Sequence, residues 1–157
     1  MSKSSNENVQ NYPRPPSLEK VTKRLLVRLG GEVLAETNDG LRVLETHHAP
    51  TYYVPRSDIL GRLAPVSGTS FCEWKGQAHY YDVTAGGLTA RRAAWSYENP
   101  SPAFQQLEGF LAFYASKMDV CFVGDEPAIP QPGDFYGGWV TRNLKGVIKG
   151  VPGTQYW

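Results

Sequence analysis

The sequence predicts a mainly β protein: one antiparallel domain with one or two short helices. Its 157 residues are the size of a single domain. Short β-branched and aromatic runs are cut at close intervals by Gly-Gly, Asn-Asp-Gly and Ser-Gly turns. The 16 Gly and 12 Pro leave little room for a long helix.

The totals narrow the function classes. Sixteen Lys and Arg stand against 15 Asp and Glu, a net charge of +1. Such a balance gives no field to steer the chain to nucleic acid or an anionic membrane. No apolar run approaches the about 20 residues of a spanning helix. Met1 to Gln10 has no apolar core of a secretory signal. Two cysteines without a CxxC pair read as free thiols in a reducing compartment, so the cytoplasm is the expected location. No nucleic-acid or membrane partner is expected, and homo-oligomerisation is left open.

In chain order, residues 1–16 are Ser/Asn-rich and then Pro-rich, and are expected to form a flexible tail. Ser17 to Lys20 reads as a turn of helix. Lys23 to Leu29 and Glu32 to Thr37 read as strands joined at Gly30-Gly31, a tight-hairpin signal. No phosphate-loop pattern surrounds that glycine pair. Leu41 to Thr46 follows the Asn38-Asp39-Gly40 turn as the third strand of a meander. Glu45 ends that strand, and a carboxylate beside Leu41, Val43 and Leu44 needs water or a partner. His47 and His48 come next. Their pairing hints at metal, but no third ligand has a recognisable spacing, and no metal or other cofactor is expected. Arg56 to Gly61 reads as one helical turn positioning Asp58.

Thr69 to Val83 is the expected centre of the fold, a hairpin turning at Lys75-Gly76. Alternation places Ser70, Cys72 and Trp74 on one face. A two-residue loop would set Cys72 opposite His79, a thiol–imidazole pair. Lys75 is a poor residue for the positive φ of that loop, and a longer loop would shift the register and dissolve the pair. An inert, buried thiol is the alternative. Leu88 to Tyr97 is a strand after Gly86-Gly87, with Arg91 and Arg92 on opposite faces. Ser101-Pro102 opens a short helix ending near Glu108. Phe110 to Tyr114 suits a buried strand, with Val120 to Val123 as its partner and Cys121 in the core. The β domain spans residues 17–126. Residues 127–157 are an aromatic, Gly-rich extension expected to pack on the domain, because Phe135, Tyr136, Trp139, Tyr156 and Trp157 need burial. It is expected to cover part of a pocket.

Several spaced blocks make a resemblance specific. They are Arg42-Val43-Leu44-Glu45-Thr46, His48-Ala49-Pro50-Thr51-Tyr52-Tyr53-Val54-Pro55, Cys72-Glu73-Trp74-Lys75-Gly76-Gln77-Ala78-His79-Tyr80, Ala94-Trp95-Ser96-Tyr97 and Ala112-Phe113-Tyr114. Together they resemble the DUF427 family over residues 18–126. Pro132 to Trp139 resembles the extension of a longer subgroup common in cyanobacteria. The resemblance implies an antiparallel β-tent, Mss4-like fold. Relatives of that fold often bind structural zinc through two CxxC pairs, which this chain lacks. The resemblance implies no settled activity, although one family-level label is nucleotidyltransferase. Carried over by position, the matching residues are Glu45, His48, Tyr53, Cys72, Lys75, Trp95 and Tyr97. The family does not fix His79, which shifts weight to His48.

Three functions follow as expectations. The first is a small-molecule-binding module. Tyr53, Trp74, Trp95 and Tyr97 would wall a pocket for a flat or cationic ligand, with Glu45, His48 and Lys75 at its polar edge. The second is an enzyme with Cys72 as nucleophile, His48 or His79 as base, and Glu45 and Lys75 in support. The third is nucleotidyl transfer using Lys75, Arg91 or Arg92 and a metal held by Glu45 or Asp58.

Overall fold

Paired glycines in left-handed conformation set two tight corners of the chain. In the computed structural model, which describes residues 6–72, 74–132 and 136–151, Gly30 and Gly31 have φ of 62° and 79°, and Gly86 and Gly87 have 55° and 77°. These values match a two-residue hairpin turn in which both central residues need positive φ.

The strands are β1 (Glu7–Asn8), β2 (Ser17–Lys20), β3 (Leu25–Leu29), β4 (Glu32–Thr37), β5 (Leu41–Leu44), β6 (Thr51–Pro55), β7 (Arg62–Cys72) and β8 (Gly76–Ala85). They continue as β9 (Leu88–Ser96), β10 (Phe110–Phe113), β11 (Val120–Val123), β12 (Glu126–Pro127), β13 (Ile129–Pro130), β14 (Trp139–Val140) and β15 (Leu144–Lys145). Among the described residues every helix is a short 3-10 turn, the longest being Pro102–Leu107. No helix there is long and apolar enough to cross a membrane.

A seven-stranded sheet runs in the order β2-β5-β6-β10-β9-β8-β7. A four-stranded sheet runs β12-β11-β3-β4. Alternation along the large sheet buries both of its faces. Tyr52, Val54, Tyr81, Val83, Leu111 and Phe113 pack with Leu25, Val27 and Leu34 of the smaller sheet. Tyr53, Ala78, Tyr80, Trp95 and Ala112 point the other way, into a second cluster with Leu41, Val43, Tyr97, Phe104 and Leu107. The candidate site lies on that second face.

The structure departs from the sequence reading in several places. Ser17–Lys20 is not a helical turn but a strand, paired residue for residue with Leu41–Leu44. Pro15 and Pro16 hold its approach extended, and the edge of β5 supplies the partner. The meander ends at β4. β5 leaves it for the large sheet, pairing with β2 and β6. Likewise β11 pairs with β3, not β10, so Cys121 faces Val27. A strand's alternation shows which residues face inward but not which neighbour it will join.

The N-terminal segment expected to be a free tail is docked over its described part. β1 pairs in parallel with β15, Glu7 against Leu144 and Asn8 against Lys145. Val9 is 0% exposed, and with Tyr12 it packs on Leu44. Local composition gives Val9 and Tyr12 no visible core to join, because Leu44, Leu144 and Ile148 lie far along the chain. Met1 to Ser5 lie outside the described residues. In the C-terminal extension β13 pairs with β14, and Trp139 enters the inter-sheet core. Its indole N–H donates to the Phe113 carbonyl at 3.0 Å. The predicted burial of Phe135, Tyr156 and Trp157 falls outside the described residues.

Candidate functional site

The β7–β8 hairpin is wider than a two-residue loop. Cys72 pairs with Gly76, and Thr69 pairs with His79. The wider loop therefore removes the Cys72–His79 pairing, since a glycine stands where the imidazole was expected. Glu73 lies outside the described residues. The segment after β9 holds the turn: Ser101 N–H donates to Lys75 O at 3.0 Å, and Ser101 Oγ donates to Trp74 O. This anchoring carries Lys75 inward. The residue is 9% exposed, with Nζ 3.4 Å from the Tyr53 hydroxyl and 5.3 Å from the centroid of the Tyr97 ring. Among the described residues no carboxylate pairs with it. Burial pushes the Tyr53 and Tyr97 phenols up, so both stay neutral.

The connection from β5 to β6 supplies Glu45 and His48. It is a tight corner, not strand, and His47 adopts φ of 66°. Val9 O accepts from His47 N–H at 2.9 Å, and His47 O accepts from Lys149 N–H at 2.6 Å. Gln131 then fixes His48. It is 2% exposed, and its Oε1 accepts from Ala49 N–H at 3.2 Å. Its Nε2 donates to Lys149 O at 2.9 Å and lies 3.2 Å from His48 Nδ1. Those backbone partners leave the amide one orientation, with an N–H facing Nδ1. Neutral His48 therefore carries its proton on Nε2, which stands 3.8 Å from Glu45 Oε2.

Burial lowers the His48 pKa to about 4, helped by Lys149, Lys75, Arg14 and His47. Its contact with Glu45 is thus one of a neutral ring with a carboxylate, and the surrounding cations outweigh that one anion. The unfolded chain takes up a proton at His48 below about pH 6.5, the folded chain only below about pH 4. Stability tied to His48 is therefore lost as pH falls through that window, on the order of 3 kcal/mol in full. Chemical denaturation of wild type and His48→Gln at pH 7 and pH 4.5 checks this. The wild type should lose more stability on acidification than the variant.

These elements enclose a cleft of about 290 Å³. Glu45 and His48 line one side, and Cys72, Trp74 and Lys75 come from the hairpin. Trp95, Tyr97, Tyr80 and Tyr114 form the floor and far wall, with the Trp95 and Tyr114 rings 4.5 Å apart. Tyr80 shares a hydrogen bond of 2.7 Å with Ser70. Gln131, Tyr136, Gly137 and Lys149 close the remaining side from the C-terminal extension. Tyr136 meets His48 edge-on at 5.1 Å, and Lys149 Nζ lies 5.5 Å from its ring centroid. Gly137 approaches Trp95 so closely that a Cβ would overlap the indole.

Cys72, Glu45, His48, Lys75, Trp74, Trp95 and Tyr97 thus line one cleft. Tyr53 does not line it; fully buried, it supports Lys75 from beneath. Gln131, Tyr80, Tyr114 and Lys149 were not foreseen. The only local sign of Gln131 is its place between Pro130 and Pro132, which fix an extended backbone around one amide. Asp58 and Arg91 lie elsewhere: Asp58 accepts from Thr37 Oγ1 at 2.6 Å, and Arg91 lines a separate hollow with Lys117. Among the described residues no three His, Cys, Asp or Glu side chains gather as a metal site.

The comparison with known proteins covers the domain but stops short of the extension. A family model described as a domain of unknown function, DUF427, matches residues 17–124, more than half of the chain. No curated protein matches the chain. Gln131, Tyr136, Gly137 and Lys149, which complete the cleft, lie beyond the matched span.

Proposed function

The chain belongs to the DUF427 family, and we propose that its cleft binds a small, flat organic anion. The observation that carries this is Lys75, an ammonium buried in the cleft wall with no carboxylate partner among the described residues. An unpaired buried charge is costly, and a ligand anion seated beside it would offset that cost. Trp74 and Trp95 supply indole surface against which a planar group can stack. A cationic ligand fits less well. The Tyr97 face already has the Lys75 ammonium over it, and Lys149 lies over Tyr136.

Acid–base use of the thiol draws less support from this geometry. Gly76 faces Cys72 across the hairpin, and the His48 Nδ1 lone pair already takes the Gln131 N–H.

Tryptophan fluorescence titrated with 4-hydroxybenzoate and its neutral carboxamide tests the proposal. The carboxylate should quench saturably and bind about tenfold or more tighter than the amide, the scale of one charge-assisted hydrogen bond. Lys75→Met should erase that preference. Equal affinity for both compounds, or no binding of either, overturns the proposal.

A further inference from the structure

We infer that Gln131, outside the domain shared with the family, is a positioning residue that holds His48 as an Nε2–H donor facing the ligand. Three constraints support this. The amide is buried, and two backbone groups of opposite polarity, Ala49 N–H and Lys149 O, fix which end is which. Its second N–H then meets Nδ1 at 3.2 Å, so that nitrogen can only accept. The Nε2–H meets Glu45 at 3.8 Å, too long for a hydrogen bond, which leaves it available to an acceptor in the cleft.

The electrostatic surroundings favour the same state. Lys149 on the extension, Lys75 on the hairpin, Arg14 on the N-terminal segment and neighbouring His47 all oppose an imidazolium, against Glu45 at 3.8 Å. Tyr136 covers the ring edge-on. With Lys75 the cleft thus offers two donors, one charged and one neutral, for the two oxygens of a carboxylate or similar anion. That consequence rests on the proposed anion binding. The tautomer itself does not, and is measured in the free protein.

A long-range proton–nitrogen correlation spectrum of the ¹⁵N-labelled full chain reports the protonated nitrogen of each histidine directly. His47→Asn and His79→Gln variants assign the His48 signals. The wild type should show His48 as the Nε2–H tautomer, neutral well below pH 6. In Gln131→Glu the new carboxylate accepts from Nδ1, so the ring should protonate there and its pKa should rise by about one unit or more. In Gln131→Met no donor holds Nδ1 as an acceptor, and a measurable share of the Nδ1–H tautomer should appear. Near-UV circular dichroism verifies that each variant is folded. A wild-type Nδ1–H tautomer overturns the inference, even if both variants fail to fold. So does a folded Gln131→Met that keeps the pure Nε2–H form. Failure of 4-hydroxybenzoate to bind would strike the ligand proposal and leave the tautomer result standing.

Discussion

Trp139→Ala is expected to lower the unfolding free energy by about 3–5 kcal/mol, as for other large buried aromatics. Trp139 is 0% exposed and lies within the inter-sheet core, with its ring 5.2 Å from that of Tyr52. Losing it opens a cavity and removes the donor to the Phe113 carbonyl. The backbone would stay, because Trp139 N–H still donates to Pro50 O. Urea denaturation followed by far-UV circular dichroism gives the number. A loss below about 1 kcal/mol would mean that the extension rests on the domain without contributing to its core. The effect is large because Trp139 fills the inter-sheet core, although it lies past residue 124, where the family match ends. Trimming the chain to its matched span should expose Tyr52 and Phe113.

Gly86→Ala is expected to cost roughly 3 kcal/mol or more, combining backbone strain with a steric clash. Gly86 has φ of 55°, and a Cβ on it would overlap the Gly30 carbonyl. Gly30 belongs to the β3–β4 turn, so two hairpin corners from different sheets press together through bare backbone. Gly86 N–H also donates to Glu32 Oε2 at 3.3 Å. Gly87→Ala isolates the strain. Its φ is 77°, but a Cβ there meets nothing within 4 Å, so only about 1 kcal/mol should be lost. Equal thermal-denaturation shifts for the two variants would show that the turns do not interlock.

The two glycine-paired hairpins were legible because positive φ is a local demand that few residues meet. β4 and β11 have their expected bounds, and the aromatic run from Phe110 forms the expected strand, lying between β6 and β9. Sheet membership was not legible. β5 and β11 each chose a partner that no local feature of theirs names. Cys72, Trp74, Lys75, Glu45, His48, Trp95 and Tyr97 were visible as chemistry-bearing types in specific blocks. Tyr53 and Gln131 were harder to judge. The orientation of one depends on strand parity within a sheet buried on both sides, and the role of the other on a contact 83 positions away along the chain.

The backbone of His47 is gripped from two directions, by Val9 near one end of the chain and Lys149 near the other. A single protease nick between Tyr12 and Ser17 would free one jaw of that vice. His48 would then report the damage through its nitrogen spectrum long before the sheets came apart, making the corner a built-in gauge of whether both ends are seated.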